Sequence, residues 1–318
     1  MTRKQPKPAR KPARFTSPEL IAVLVAVSVD EPRVLTINDG RALPSGPFAS
    51  TDRSLQLSLR TWVERQTKHP VGYMEQLYTF ADRDRTGEDP DQRVISISYL
   101  GLTREAGTSR GYAATWQSWY RYFPWEDVRH SSGELADKLI VPRLRAWARQ
   151  APGKAAQAER ARRIDVVFGQ HGLCWNGELV LQRYELLYEA GLVPEARGEG
   201  CTNASPIPGE PMLHDHRRIL ATGIARLRAK IKYRPVIFEL MPATFTLLQL
   251  QQAVEALSGQ LLHKQNFRRS LEQQDLIEET GEKSIETGGR PARLFRFRKA
   301  IVIERAFTGT KLPLARTR

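Results

Sequence analysis

Cysteine is nearly absent from this 318-residue chain, with Cys174 and Cys201 the only two. They form no CxxC pair and sit in no Cys/His cluster, so neither a thiolate metal site nor a disulfide-stapled scaffold is expected. The chain also lacks any run of about 18 apolar residues, which a bilayer-spanning helix needs. No membrane partner and a cytoplasmic location are the expectations. The first residues, MTRKQPKPARKPARFTSPEL, are basic and proline-rich, with no apolar stretch before Phe15. They read as a disordered basic tail over residues 1–17 rather than a secretory signal.

Negative charge is in deficit: 35 Asp and Glu stand against 49 Lys and Arg, a net charge of +14. A strongly basic soluble chain favours a polyanionic partner, because neutralising phosphates releases their counterions. What is present otherwise is ordinary for globular protein, at 41% hydrophobic and 26% charged residues. The length suffices for two domains with their own cores.

Residues 18–127 alternate strands with a helix. Ile21–Val29 and Arg33–Ile37 are rich in Val, Ile and Leu and flank a turn at Asp30–Pro32. Residues 54–66 carry Leu55, Leu59, Trp62 and Val63 near one helical face. Strands are expected again at Tyr73–Phe80 and Val94–Leu100, around the polar loop Ala81–Gln92. Residues 128–213 look different: a helical insertion and linker. Arg143–Arg163 is expected to be helical around a break at Pro152–Gly153, with a second helix over Gly177–Ala190 and a loop over Glu195–Pro211. Its Arg143, Arg145, Arg149, Arg160, Arg162 and Arg163 fit a solvated helical face; contact with DNA or a second subunit is the alternative.

Residues 214–318 hold the most informative order of elements. A basic helix at Ile219–Lys232 precedes an expected strand at Pro235–Leu240. A helix over Phe245–Ser258 follows, capped at Thr244 or Thr246 and ended by Gly259. His263–Gln274 is a further helix, and Leu276–Glu279 with Arg293–Arg298 would form a hairpin whose loop holds Gly281 and Gly288–Gly289. Helix, glycine turn, basic helix and basic hairpin is the order of a winged helix-turn-helix. Phe267 and Leu271, four apart, would anchor the second helix. Lys264, Gln265, Asn266, Arg268 and Arg269 would face a major groove, where Arg can meet guanine and Asn or Gln adenine. Lys283, Arg290 and Arg293 would place the wing on the DNA backbone. A basic helix with a merely solvated face is the plainer alternative for any one of these segments.

The stretches ILATGIARLRAKIK (219–232), YRPVIFELMP (233–242), FTLLQL (245–250), KQNFRR (264–269), ETG (279–281) and GRPA (289–292) resemble the Nudix-related transcriptional regulators of NAD metabolism, the NrtR family. The segment between the two regions, and the divergence described next, bring the chain nearest to the alphaproteobacterial NadQ type. The resemblance implies a homodimer whose C-terminal module binds double-stranded operator DNA.

It also implies a Nudix-like domain upstream. Nudix hydrolases carry G-x5-E-x7-R-E-U-x-E-E-x-G-U, U being a bulky aliphatic residue. Glutamates on one helical face hold Mg2+ against a diphosphate. From Gly46 to Lys68 this chain keeps Gly46, Arg60 and Glu64. Asp52, Thr61 and Arg65 replace glutamates, Trp62 replaces the aliphatic residue and Thr67 the second glycine. A guanidinium at Arg65 opposes a divalent cation there, so no catalytic residue, metal or required cofactor is expected. Strand sequences VGYMEQLYTF (71–80) and RVISISYL (93–100) resemble those behind the box in the same regulators.

The resemblance implies a sensor for a nucleotide effector: ADP-ribose, NAD or ATP. Arg60, Arg65, Phe80, Arg93, Tyr99 and Trp116 are its candidate ligand residues, with Trp125 a further aromatic; a core role is the plainer reading of each ring. The expected fold is an α/β (α+β) Nudix-like sandwich with a helical insertion, then a C-terminal winged helix. The alternatives are a divergent nucleotide-diphosphate hydrolase and an RNA-binding regulator. RNA is disfavoured because A-form helices hide the major groove from side chains.

Overall fold

The computed structural model describes residues 16–28, 30–49, 51–69, 71–81, 93–105, 114–130, 133–196, 207–233, 236–284 and 291–298. Residues 1–15 of the expected basic tail, most of the loop 81–92, Cys201 and Arg290 lie outside them; residues 16 and 17, expected in the tail, belong to the first strand.

The N-terminal region is built on strand β1, Thr16–Ser28. β2, Glu31–Thr36, runs back antiparallel to it, pairing Ser28 with Glu31. β3, Ser45–Pro47, pairs with the first half of β1. Helix α1 follows at Leu55–Thr67. β4, Tyr73–Phe80, and β5, Arg93–Leu102, are antiparallel to each other, and β5 runs parallel to β1. β6, Thr115–Ser118, closes the order β4-β5-β1-β2-β6. The run Leu20–Ala26 is fully buried because helices and loops cover both faces of β1, so it is apolar without alternation.

Alternation nonetheless decides the layers. Leu20, Ala22, Leu24 and Ala26 share one core with Leu59 and Val63 of α1. Ile21, Val23 and Val25 share the other with Trp119, Phe123 and Trp125. That second core runs on through the rest of the chain. It takes in α2 (Gly133–Leu135), which passes through a π-helical segment (Ala136–Ile140) into α3 (Val141–Arg149), then α4 (Gly153–Phe168) and α5 (Val180–Glu189). It also takes in α6 (His216–Tyr233) and α7 (Leu247–Ser258). α6 crosses the sheet so closely that a Cβ on Gly223 would stand 2.8 Å from Val23 Cγ1.

α8 (Lys264–Gln273) and the hairpin of β7 (Ile277–Ser284) with β8 (Ala292–Phe297) complete the C-terminal region. Phe245 exchanges both backbone hydrogen bonds with Phe295, at 2.9 and 2.8 Å, which joins the start of α7 to the wing. Two expectations fail here. The strand expected at Pro235–Leu240 is a 3-10 turn, Val236–Glu239. Its buried residues, Val236, Ile237, Leu240 and Met241, recur at helical rather than alternating spacing. Gly281, expected in the hairpin loop, lies inside β7 with φ 82°, where the pairing shifts register between Glu279 and Lys283. The local sequence signals a turn, but the glycine serves a bulge.

Candidate nucleic-acid interface and sensor face

The helix-turn-helix is set by local chemistry. Thr246 Oγ1 accepts from the Gln249 N–H at 3.2 Å, and the Gln249 side chain returns a bond to the Thr246 N–H at 2.8 Å. This reciprocal box fixes the start of α7. Gly259 ends it at φ 73°, a left-handed conformation suited to glycine. The Glu255 carboxylate then accepts from the Leu262 N–H at 2.8 Å and the Gln251 amide at 2.9 Å, which locks the turn.

α8 packs inward with Phe267 and Leu271, as their spacing requires. Lys264, Gln265, Asn266, Arg268 and Arg269 are all exposed, and none of their side chains has a hydrogen bond or ion pair among the described residues. Lys264 occupies the first turn, which has no acidic residue, so it adds to the positive end of the helix dipole. A surface of this kind suits phosphates and base edges. On the wing Lys283 is exposed. Arg293 is 68% exposed and pairs with Glu279 at 3.2 Å. An exposed pair of this kind contributes little and can be exchanged for a phosphate.

The arginines of α3 and α4 are mostly committed. Arg145 pairs with Asp165, Arg162 with Glu159 at 2.8 Å and Arg163 with Glu189 at 2.6 Å. Arg160 stacks 3.9 Å from the Trp147 ring centre and donates to the Trp147 carbonyl. Arg149 and Lys154 line a shallow groove of about 400 Å3 with Arg145.

In the N-terminal domain the helix of the expected Nudix box is present, but its side chains are otherwise engaged. The Asp52 carboxylate accepts from Ser58 Oγ and, at 2.9 Å, from the Ala49 N–H, and these bonds hold it below the usual carboxylate range. The Arg60 guanidinium donates to the Val71 and Gly72 carbonyls. Thr61 Oγ1 returns to the Leu57 carbonyl at 3.1 Å. Trp62 lies on Gly46, where any Cβ would collide with the indole, and Arg65 stacks 5.5 Å from that ring. Thr67 bonds back to Val63. Glu64 is exposed. These residues do not fit a Mg2+ site. Among the described residues no group of three His, Cys, Asp or Glu side chains stands ready to hold a metal ion.

The candidate effector residues whose side chains are described fall on two faces of the sheet. Tyr99 pairs with Gln76 and Phe80 with Ser96, so strand alternation sends them to opposite faces. Tyr99 and Trp116 lie in the core beneath α1, on strands separated by β1 and β2. Phe80 lies on the other face, 4.6 Å from the Arg218 guanidinium. Trp125 is fully buried. The Arg93 side chain is outside the described residues. His69 was missed: it meets Trp116 edge-on at 5.5 Å and Thr103 Oγ1 at 2.8 Å, and burial lowers its pKa. Only the tertiary fold brings these three together.

Sequence reasoning also missed a buried ionic junction. Glu126, fully buried, accepts from Arg183 at 2.6 and 2.9 Å and from Arg228 at 2.6 Å. Burial pushes the Glu126 carboxyl up, but the charges and hydrogen bonds of Arg183 and Arg228 outweigh it and hold it below its ordinary range. Arg217, equally buried, donates to the Tyr122 carbonyl and pairs with Glu195. His216 Nδ1 accepts from the Leu43 N–H at 2.8 Å. Asp215 precedes α6, its carbonyl accepting from the Ile219 N–H and its carboxylate meeting Arg218.

Residues 237–297 match the family model of the NrtR DNA-binding winged helix domain. A relative in Acinetobacter baylyi, the ADPR responsive transcriptional repressor NtrR, is 41% identical over 83 residues, 26% of this chain. The match spans about a third of that relative's length, 33%. The whole fold resembles Shewanella oneidensis NrtR in complex with a 27mer DNA, with TM-score 0.53 and 20% identity over 90% of this chain and 95% of that one. It also resembles a MutT/nudix family protein from Enterococcus faecalis, with TM-score 0.52 and 16% identity over 92% and 90% of the two chains. The chain thus joins a Nudix-like α/β domain to a C-terminal winged helix. No helix among the described residues is long and apolar enough to cross a membrane.

Proposed function

We propose that this protein is a DNA-binding transcriptional repressor of NAD biosynthesis or salvage genes, related to NrtR and nearest its NadQ type. The observation that carries the reading is the uncommitted donor face of α8, within a segment matching the NrtR DNA-binding domain. Lys264, Gln265, Asn266, Arg268 and Arg269 read the major groove, and Lys283, Arg290 and Arg293 meet the backbone from the wing. The protein acts as a homodimer in the cytoplasm. Its Nudix-like domain is a sensor without hydrolase chemistry, since Asp52, Arg60, Thr61 and Trp62 are tied into the local fold.

The effector is an adenine nucleotide, with ADP-ribose favoured because the Acinetobacter relative responds to it. Arg60, Arg65, Tyr99 and Trp116 remain the candidate contacts on the α1 side, with Arg93 a further candidate; Phe80 belongs to the opposite face. Binding that favours one arrangement of the two domains shifts DNA affinity without any further device.

The test is fluorescence anisotropy of duplex DNA from upstream of the protein's own gene, at fixed salt with mixed-sequence competitor, adding ADP-ribose, NAD and ATP in turn. Sequence-specific binding changed by one of them is expected. Binding no tighter than to mixed-sequence DNA, with Mg2+-dependent phosphate release from a nucleotide diphosphate, contradicts the proposal and favours a hydrolase.

A further inference from the structure

The last carbonyls of a helix have no partner within it and must find one elsewhere. At the end of α7 the Glu255 carbonyl is met from within the turn, by the Gly259 N–H at 2.9 Å and Ser258 Oγ at 3.3 Å, whereas the Ala256, Leu257 and Gly259 carbonyls are met from outside the helix-turn-helix. Tyr120 Oη donates to the Ala256 carbonyl at 2.6 Å. Arg228 Nε, from α6, donates to the Leu257 carbonyl at 2.9 Å. The Val128 N–H donates to the Gly259 carbonyl at 2.8 Å. Arg228 also places a cation at the negative end of the α7 dipole, which is favourable.

The segment 120–128 presses against the turn itself. A Cβ at Gly259 would collide with the Glu126 carbonyl oxygen and stand 3.0 Å from Tyr120 Oη. Arg228 grips Glu126 twice more, at its carboxylate at 2.6 Å and its carbonyl at 3.1 Å. Arg183 of α5 completes the group by binding both Glu126 carboxylate oxygens.

We propose that Tyr120, Glu126 and Arg228 are positioning residues for DNA reading, which fix α8 on the sensor domain by clamping the end of α7. Arg183 is the contribution of the α2–α5 segment, and it lets the Glu126 carboxylate stay buried and charged between two guanidiniums. The turn glycine serves this contact as well as its own φ. The proposal rests on the reading of α8 as the DNA-contacting helix.

Two variants of the full chain test it. Tyr120→Phe removes the bond to the Ala256 carbonyl and the longer one accepted from Arg228 at 3.5 Å, and keeps the ring. The triple Glu126→Leu, Arg183→Met and Arg228→Met replaces the ionic group by apolar side chains of similar size, a change that folded proteins tolerate. The readouts are thermal unfolding, amide hydrogen exchange over residues 259–273, and anisotropy with the same upstream duplex. Arg268→Ala with Arg269→Ala serves as a contact control.

The expected result is exchange over 259–273 faster by about two- to tenfold in Tyr120→Phe, and faster still in the triple, with β1 unchanged. DNA binding weakens in parallel, while the control loses binding with normal exchange. Unchanged exchange in Tyr120→Phe overturns the proposal, as does faster exchange with unaltered DNA affinity. Should the triple fail to fold, Tyr120→Phe alone decides. Should the wild type show no preference for the upstream duplex, the repressor reading fails, and exchange alone decides whether the clamp exists.

Discussion

Arg268 and Arg269 on α8 and Arg183 and Arg228 in the interior are the same residue type put to opposite use. The first two are exposed, with no partner among the described residues. The second two are buried and share one carboxylate. The difference teaches that an excess of positive charge does not locate an interface; uncommitted charge does. Arg145, Arg160, Arg162 and Arg163 of α3 and α4 make the same point from the surface, because each already has an intramolecular partner.

The comparison is broken most forcefully from inside. Arg183→Ala leaves Glu126 one guanidinium short in a site without water access, and should cost about 3–5 kcal/mol of stability by denaturant titration. A loss under about 1 kcal/mol would mean that the junction is not closed as described.

His216 sharpens it, as a buried base with no carboxylate partner among the described residues to keep it charged. Burial, and then the neighbouring His214, push its pKa down to about 3. The folded state therefore holds it neutral where the unfolded chain takes up a proton. Its stability contribution is complete above the unfolded pKa of about 6.5 and is lost as pH falls from there towards about 3, by at most ~1.4 kcal/mol per pH unit. His216→Asn should flatten the fall in denaturant midpoint between neutral and mildly acidic pH. Equal falls in both proteins would refute the assignment.

The smallest effect belongs to the outer surface. Arg162→Ala removes an exposed i,i+3 pair, and should change stability by no more than about 0.5 kcal/mol and leave DNA affinity as it was. Weaker DNA binding would return this face to the list of contacts.

Local chemistry made much of the fold legible. Ser54 accepts from the Leu57 N–H at the start of α1, and Gly259 ends α7. The periodic spacing of Phe267 and Leu271 gave the buried side of α8, and with it the exposed donors. Failures came where a signal is not local. Val236–Glu239 is too short for periodicity to separate strand from helical turn. Which sheet face Phe80 or Tyr99 joins depends on the β4–β5 register and on a bulge between Gln76 and Thr79. Glu126 meets Arg183 across 57 residues of sequence and Arg228 across 102, and nothing near any of the three announces the others.

The central claim is that the outward face of α8 reads DNA. The measurement is the salt dependence of anisotropy for the upstream duplex, comparing the wild type with Arg268→Ala, Arg269→Ala. The account predicts affinity reduced by roughly 1–3 kcal/mol for each lost base contact, or a salt slope lower by about 1 for each lost phosphate contact, with unfolding unchanged. Equal affinity and equal slope in the two proteins would contradict it.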